Sequence, residues 1–124
     1  MRLLVVDDEP EIRLLVQANL RLLGHECLDA GTAAEAMPIC RDQHPDALLL
    51  DVAMPDIDGR ELLRLLREDG TVPRRVVLFS ALPPNELAAL ARQLEVDWLS
   101  KPFTTAALRE KLAALVNSLA DGGP

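Results

Sequence analysis

The chain has 124 residues, 49% of them hydrophobic and 27% charged, with a formal net charge of −7. That balance fits one globular domain around a single buried core and excludes a disordered chain. A surplus of negative charge repels phosphate backbones, so it also argues against direct nucleic-acid binding by this segment.

No apolar run is long enough to cross a bilayer and no signal peptide opens the chain, so the expected location is cytoplasmic and off the membrane. Cys27 and Cys40 lack metal-ligand spacing and read as free thiols in a reducing compartment.

Five apolar runs alternate with five helical stretches, the pattern of an α/β domain whose parallel sheet is covered on both faces. Residues 3–6 are unbroken Leu and Val, as in a strand buried on both sides. The helix after them carries a core stripe of Leu15, Val16, Asn19, Leu20 and Leu23, closed by Gly24. Residues 26–30 form a more polar run that suits an edge strand. Thr32 and Glu35 have the spacing of a capping box opening the second helix. The third strand is expected over 47–50, and the third helix from about Gly59 to Glu68, closed by Gly70. The fourth strand falls at 76–79, followed by Pro83 and Pro84, which a first helical turn tolerates. The fifth strand falls at 96–99, and the last helix packs through Leu108, Leu112, Leu115, Val116 and Leu119. One domain over 1–120 and a linker or frayed tail over 121–124 complete the expected organisation.

In an open parallel sheet, ligands bind beyond the carboxyl ends of the strands. Asp7, Asp8 and Glu9 follow the first strand, Asp51 the third, Ser80 the fourth, and Lys101 with Pro102 the fifth. Singly, each has a bland reading as a turn former, helix cap or surface charge. Together they crowd like charges, at a cost on the order of 4 kcal/mol per pair near 4 Å in an effective dielectric of about 20. Such a cluster persists when a cation offsets it, and an all-oxygen donor set suits Mg²⁺.

The segments Leu4-Val5-Val6-Asp7-Asp8-Glu9, Leu50-Asp51-Val52-Ala53-Met54-Pro55-Asp56-Ile57-Asp58-Gly59, Phe79-Ser80-Ala81 and Trp98-Leu99-Ser100-Lys101-Pro102-Phe103 resemble the receiver domains of two-component response regulators, in family order and over nearly the whole chain. The resemblance implies a flavodoxin-like (βα)5 fold with strand order 2-1-3-4-5. It implies that Asp51 is the nucleophile that becomes an aspartyl phosphate, with a phosphohistidine on a kinase or phosphotransfer protein as donor. Asp8, Asp51 and the carbonyl of Ala53 would ligate Mg²⁺ or Mn²⁺, and Asp7 would act through a metal-bound water. Lys101 and Ser80 would hold phosphoryl oxygens, with the backbone N–H groups of Ala53 and Ala81 completing the cradle. Ser80 and Trp98 would form the switch, although Trp98 also has a plain packing reading. The Lys101–Pro102 bond is often cis in the family. Leu14, with Ala18 and Leu22 in an extra apolar row on the first helix, and Pro102 would dock the histidine-bearing partner; simple helix propensity also accounts for the leucines. A fused or separate output module and a phosphorylation-dependent dimer belong to the same picture.

The chain departs from the family at Leu94-Glu95-Val96, where a Gly-Ala pair is common, which bears on the end of the fourth helix and the output face. His25 and His44 read as solvated. An aspartyl-phosphate phosphatase would need a second carboxylate two residues after the nucleophile, and Ala53 stands there. No glycine-rich phosphate loop follows any strand, so nucleotide binding fails. A degenerate, interaction-only receiver would have lost Asp51, Lys101 or the acidic pair. The expectation is therefore a phosphoryl-accepting signalling domain rather than an enzyme acting on a separate substrate.

Overall fold

The computed structural model describes residues 1–121; residues 122–124, most of the expected tail, lie outside the described residues. In chain order the elements are β1 (Arg2–Val6), α1 (Pro10–Leu22), β2 (Glu26–Ala30), α2 (Ala33–Gln43), β3 (Ala47–Asp51), α3 (Gly59–Asp69), β4 (Arg75–Ser80), α4 (Pro84–Leu94), β5 (Asp97–Ser100) and α5 (Thr105–Ala120). The five strands are parallel and lie in the order β2-β1-β3-β4-β5, the flavodoxin-like arrangement expected from the sequence.

The unbroken apolar strands follow from burial on both faces. Leu4, Val6, Leu48, Leu50 and Leu78 point toward α2, α3 and α4, where they meet Ala36, Cys40, Leu62, Leu66 and Leu87. Leu3, Val5, Leu49, Val77 and Phe79 point the other way, onto Val16 and Leu20 of α1 and Leu108, Leu112 and Leu115 of α5. Burial pushes the free thiols up, Cys27 to about 12 and Cys40 to about 11, so neither supplies a thiolate at neutral pH.

Local chemistry sets the helix ends. Thr32 accepts the Glu35 N–H at 3.2 Å, while the Glu35 carboxylate returns to the N–H of Gly31 rather than of Thr32. Asp58 caps α3 through the Glu61 N–H at 2.9 Å, and Gly70 ends it in the left-handed region. The α1 stripe stops short of expectation: the helix ends at Leu22, and Leu23 is 43% exposed as its C-cap.

The departure at 94–96 has a specific outcome. Glu95 ends α4 at φ 59° and ψ 47°, a left-handed conformation that costs a residue with a Cβ about 1–2 kcal/mol. The Val96 N–H returns to the Ala91 carbonyl at 2.9 Å, so Val96 belongs to the turn and β5 starts at Asp97, one residue later than expected. Glu95→Gly is expected to raise stability by about 0.5–1 kcal/mol, after the greater freedom of glycine in the unfolded chain is subtracted. The midpoint of a urea titration reads this directly. A lower midpoint would show that the Glu95 side chain, not backbone strain, decides the turn.

Candidate functional site

The carboxyl ends of β1, β3, β4 and β5 share one rim, and backbone hydrogen bonds hold them in step. The Asp7 N–H donates to the Ala30 carbonyl at 3.1 Å, the Val52 N–H to Phe79 at 3.0 Å, and the Lys101 N–H to Ser80 at 2.7 Å. Because Asp51 is paired in register with Phe79, Ser80 sits one step further along the rim.

Asp7, Asp51 and Ser80 are buried, whereas Asp8 is exposed. Carboxylate oxygens of Asp7, Asp8 and Asp51 lie within 4.8 Å of one another. The Lys101 ammonium stands 2.8 Å from Asp7 Oδ2, 3.1 Å from Glu9 Oε1 and 3.5 Å from Asp51 Oδ1. Asp7 Oδ2 makes this ion pair at an angle outside hydrogen-bond geometry, so the buried oxygen receives no directed hydrogen bond. Burial, followed by the Asp7 charge, pushes the Asp51 carboxyl up to about 7 against the opposing pull of Lys101. Burial also raises Asp7, despite its contacts with Lys101 and Glu9. For Lys101 burial works against the charge, but the surrounding carboxylates prevail and hold it above its ordinary value.

A site with too much negative charge, a buried carboxylate oxygen lacking a directed donor, and only hard oxygen ligands fits a small divalent cation. Asp7, Asp8 and Asp51 are the side chains that could hold one.

The remaining expected residues are placed as follows. The Ser80 hydroxyl accepts the Leu82 N–H at 3.0 Å, and the Ala53 N–H donates weakly to Asp51 Oδ1 at 3.4 Å. Ala53 and Ala81 are both exposed on the rim. Trp98 is half-buried and packs against the core on the α4 side of the sheet. The Lys101–Pro102 bond is cis. Leu14 is 65% exposed, and Ala18 and Leu22 continue its exposed row. His44 is exposed as the C-cap of α2, while His25, half-buried, lies 3.1 Å from the Met1 amino group through Nδ1.

Three further residues shape the site without having been assigned a role from the sequence. Arg13 Nη1 donates to the Asp7 carbonyl at 2.8 Å while its Nε donates to Asp29 at 3.0 Å, bracing the loop after β1. The Asp56 carboxylate accepts the first N–H groups of α2, from Ala33 at 3.2 Å and Ala34 at 3.1 Å, tying the loop after β3 to that helix. These N–H donors, with that of Ile57 contributing most, hold its carboxyl below the usual range. Glu9 is the third carboxylate on Lys101. Its position directly after the acidic pair was the available signal. At Gly59 a Cβ would collide with the Asp51 carbonyl oxygen, so only glycine lets α3 start this close to Asp51.

Residues 3–113 match the family model of the response regulator receiver domain. The chain belongs to that family. A probable transcriptional regulator, ycf27, of Porphyra purpurea is 32% identical to this receiver over 118 residues, covering 93% of the chain and 47% of the relative. The phosphate regulon transcriptional regulatory protein PhoB of Pseudomonas aeruginosa is 34% identical over 124 residues, covering 97% of the chain and 53% of the relative. The receiver thus spans about half the length of the curated relatives it matches. Among solved structures, the receiver domain of the Francisella response regulator 1452 superposes with a TM-score of 0.83 at 26% identity, covering 95% of this chain and 98% of that one. Among the described residues, no helix is long and apolar enough to cross a membrane.

Proposed function

We propose that this receiver accepts a phosphoryl group on Asp51 from a phosphohistidine of a kinase or phosphotransfer protein, with Mg²⁺ or Mn²⁺ at the acidic cluster. The observation that carries the reading is a buried Asp51 carboxylate 3.5 Å from the Lys101 ammonium and within 4.8 Å of carboxylate oxygens of Asp7 and Asp8. In the transfer the histidine N–P bond breaks with its electron pair going to that nitrogen, an Asp51 O–P bond forms, and the proton on the other ring nitrogen of the phosphohistidine leaves the histidine neutral. A bound divalent cation neutralises charge on the phosphoryl oxygens and on the carboxylates. Lys101 favours the ionised form of Asp51 against its burial and then turns a donor to a phosphoryl oxygen, while the Ser80 hydroxyl gives up its contact with Leu82 to reach another. The N–H groups of Ala53 and Ala81 line the same rim. The domain is not an enzyme toward a separate substrate; it catalyses its own modification.

Movement of Ser80 opens space beside β4, and Trp98, half-buried next to it on β5, is suited to fill that space and alter the outer face. Leu14, exposed on α1, and Pro102, exposed next to Lys101, suit contact with a helix of the histidine-bearing partner. The chain's net charge of −7 disfavours DNA contact, so a transcriptional output, suggested by the names of ycf27 and PhoB, would lie on another module.

The test is labelling with Mg²⁺ and a small acyl phosphate, followed by mass spectrometry. One phosphoryl group should appear, and Asp51→Asn should abolish it; undiminished labelling of that variant would defeat the assignment. Trp98 emission recorded in the same reaction should change, and constant emission during full labelling removes Trp98 from the switch. In a parallel reaction with a phosphorylated kinase, Leu14→Glu should slow transfer while leaving the acyl-phosphate reaction intact.

A further inference from the structure

We propose that Glu9 is a positioning residue for this phosphoryl transfer, holding the Lys101 ammonium so that one of its N–H donors stays aimed at the acceptor. The inference rests on the phosphoryl-accepting role proposed for Asp51. A lysine ammonium has three donors and no acceptor. Three carboxylate oxygens surround Lys101 Nζ, from Asp7 at 2.8 Å, Glu9 at 3.1 Å and Asp51 at 3.5 Å. The two shorter contacts come from the loop after β1, and the longest is to the acceptor. Of the two anchors, Glu9 takes a directed hydrogen bond, whereas Asp7 Oδ2 contributes charge at a poor angle.

Glu9 is itself held from several sides. Its N–H donates to Asp7 Oδ1 at 2.9 Å, and its carbonyl accepts the N–H groups of Ile12 at 3.1 Å and Arg13 at 3.3 Å as α1 begins. Pro10 follows at the first helical position, where its ring fixes φ. The carboxylate therefore leaves a backbone that has little freedom. The Lys101 side chain is 12% exposed and that of Glu9 49%, so Glu9 closes the solvent side of the ammonium. A lysine stem has many rotamers and its ammonium spins freely. Two anchors on one side remove that freedom and leave the remaining donor facing Asp51. When a phosphoryl group occupies Asp51, the donor on that side passes to a phosphoryl oxygen while Glu9 keeps its hydrogen bond and Asp7 its ion pair. The contact joins the segment after β1 to the segment after β5.

The experiment measures beryllofluoride binding, with Mg²⁺ present, to the wild-type chain, Glu9→Ala and Glu9→Gln by fluorine NMR, with Mg²⁺ affinity and thermal melting measured separately. Glu9→Ala should weaken beryllofluoride binding roughly tenfold, the range seen when a group that orients a ligand-holding side chain is lost. Glu9→Gln keeps an acceptor at the same reach and should recover most of that affinity. Mg²⁺ affinity should change much less than beryllofluoride affinity. Glutamine binding as weakly as alanine would reduce Glu9 to a general charge and overturn the inference. Tighter binding by alanine would make Glu9 a competitor for Lys101 and overturn it as well, as would unchanged binding. If Glu9→Ala melts early, the glutamine variant still decides between a held acceptor and a general charge. Failure of the wild-type chain to bind the probe would instead defeat the proposed role of Asp51.

Discussion

Replacing Asp51 by asparagine is expected to raise the melting temperature of the metal-free protein at about pH 8 by on the order of 5–10 °C, and to change it little near pH 4. The native Asp51 carboxyl titrates at about 7, pushed up first by burial and then by the Asp7 charge, whereas an unfolded aspartate titrates at 3.8. Between those values the folded chain holds a proton that the unfolded chain has released. Native protein then binds more protons than unfolded protein, so stability falls as pH rises through that window and levels off above it. The buried anion therefore destabilises the metal-free fold once it is ionised. An asparagine keeps the shape and removes the charge, and Lys101 retains Asp7 and Glu9 as partners. Asp7 is raised as well, for the same leading reason, so it contributes to the wild-type slope with the same sign. Saturating Mg²⁺ should restore the wild-type chain toward the melting temperature of the variant, because ligation of the native state adds stability by mass action. Thermal melts of both chains in a chelating buffer at several pH values check this. Equal melting at pH 8, or a gap that widens toward acid, would show that Asp51 is not held against its charge.

What was legible in the sequence follows from which contacts are local. β1, β3 and β4 showed as unbroken apolar runs because both faces of the sheet are covered, and the helices between them carried their own start and stop signals at Thr32, Gly70 and Pro84. The rim residues were legible because strand ends in a parallel sheet converge whatever the detail of packing. Boundaries that depend on a single backbone angle were not. Glu95 in a left-handed turn moved the start of β5 by one residue, and a charged residue with positive φ carries no signature in composition. The contact between Glu9 and Lys101 spans 92 positions, and the cap that Asp56 places on α2 spans 22 or 23. Both involve residues already in the motif segments. Their partners are set by how loops from different βα units meet, which no periodicity encodes.

The phosphorylated form is expected to be long-lived, and Ala53→Asn is expected to shorten its lifetime by about 10²-fold. Hydrolysis of an aspartyl phosphate needs a water held in line with the bond that breaks, and a side chain that accepts its proton or fixes its orientation. The positions that reach this space are Ala53, two residues past Asp51, and Leu82, two past Ser80. Both line a cavity of about 400 Å³ at the carboxyl ends of β3 and β4, with Val52, Arg60, Ser80, Ala81 and Pro83. Its polar side chains cannot act as the base: a guanidinium has no acceptor, and the Ser80 hydroxyl already accepts the Leu82 N–H and is the proposed partner of the phosphoryl group. Leu82 is 36% exposed and apolar, so it can exclude water without orienting any. An asparagine at position 53 adds both a donor and an acceptor at the exposed edge of the cavity and leaves the Ala53 backbone, and so its carbonyl and N–H, in place. A slow decay suits an output such as transcription, which integrates over minutes, better than rapid motility control. The measurement is the loss of label after removal of the acyl phosphate, with Mg²⁺ affinity of the variant confirmed beforehand. Decay of the unmodified protein within seconds, with no acceleration by Ala53→Asn, would show that the rate is set elsewhere than at these two side chains.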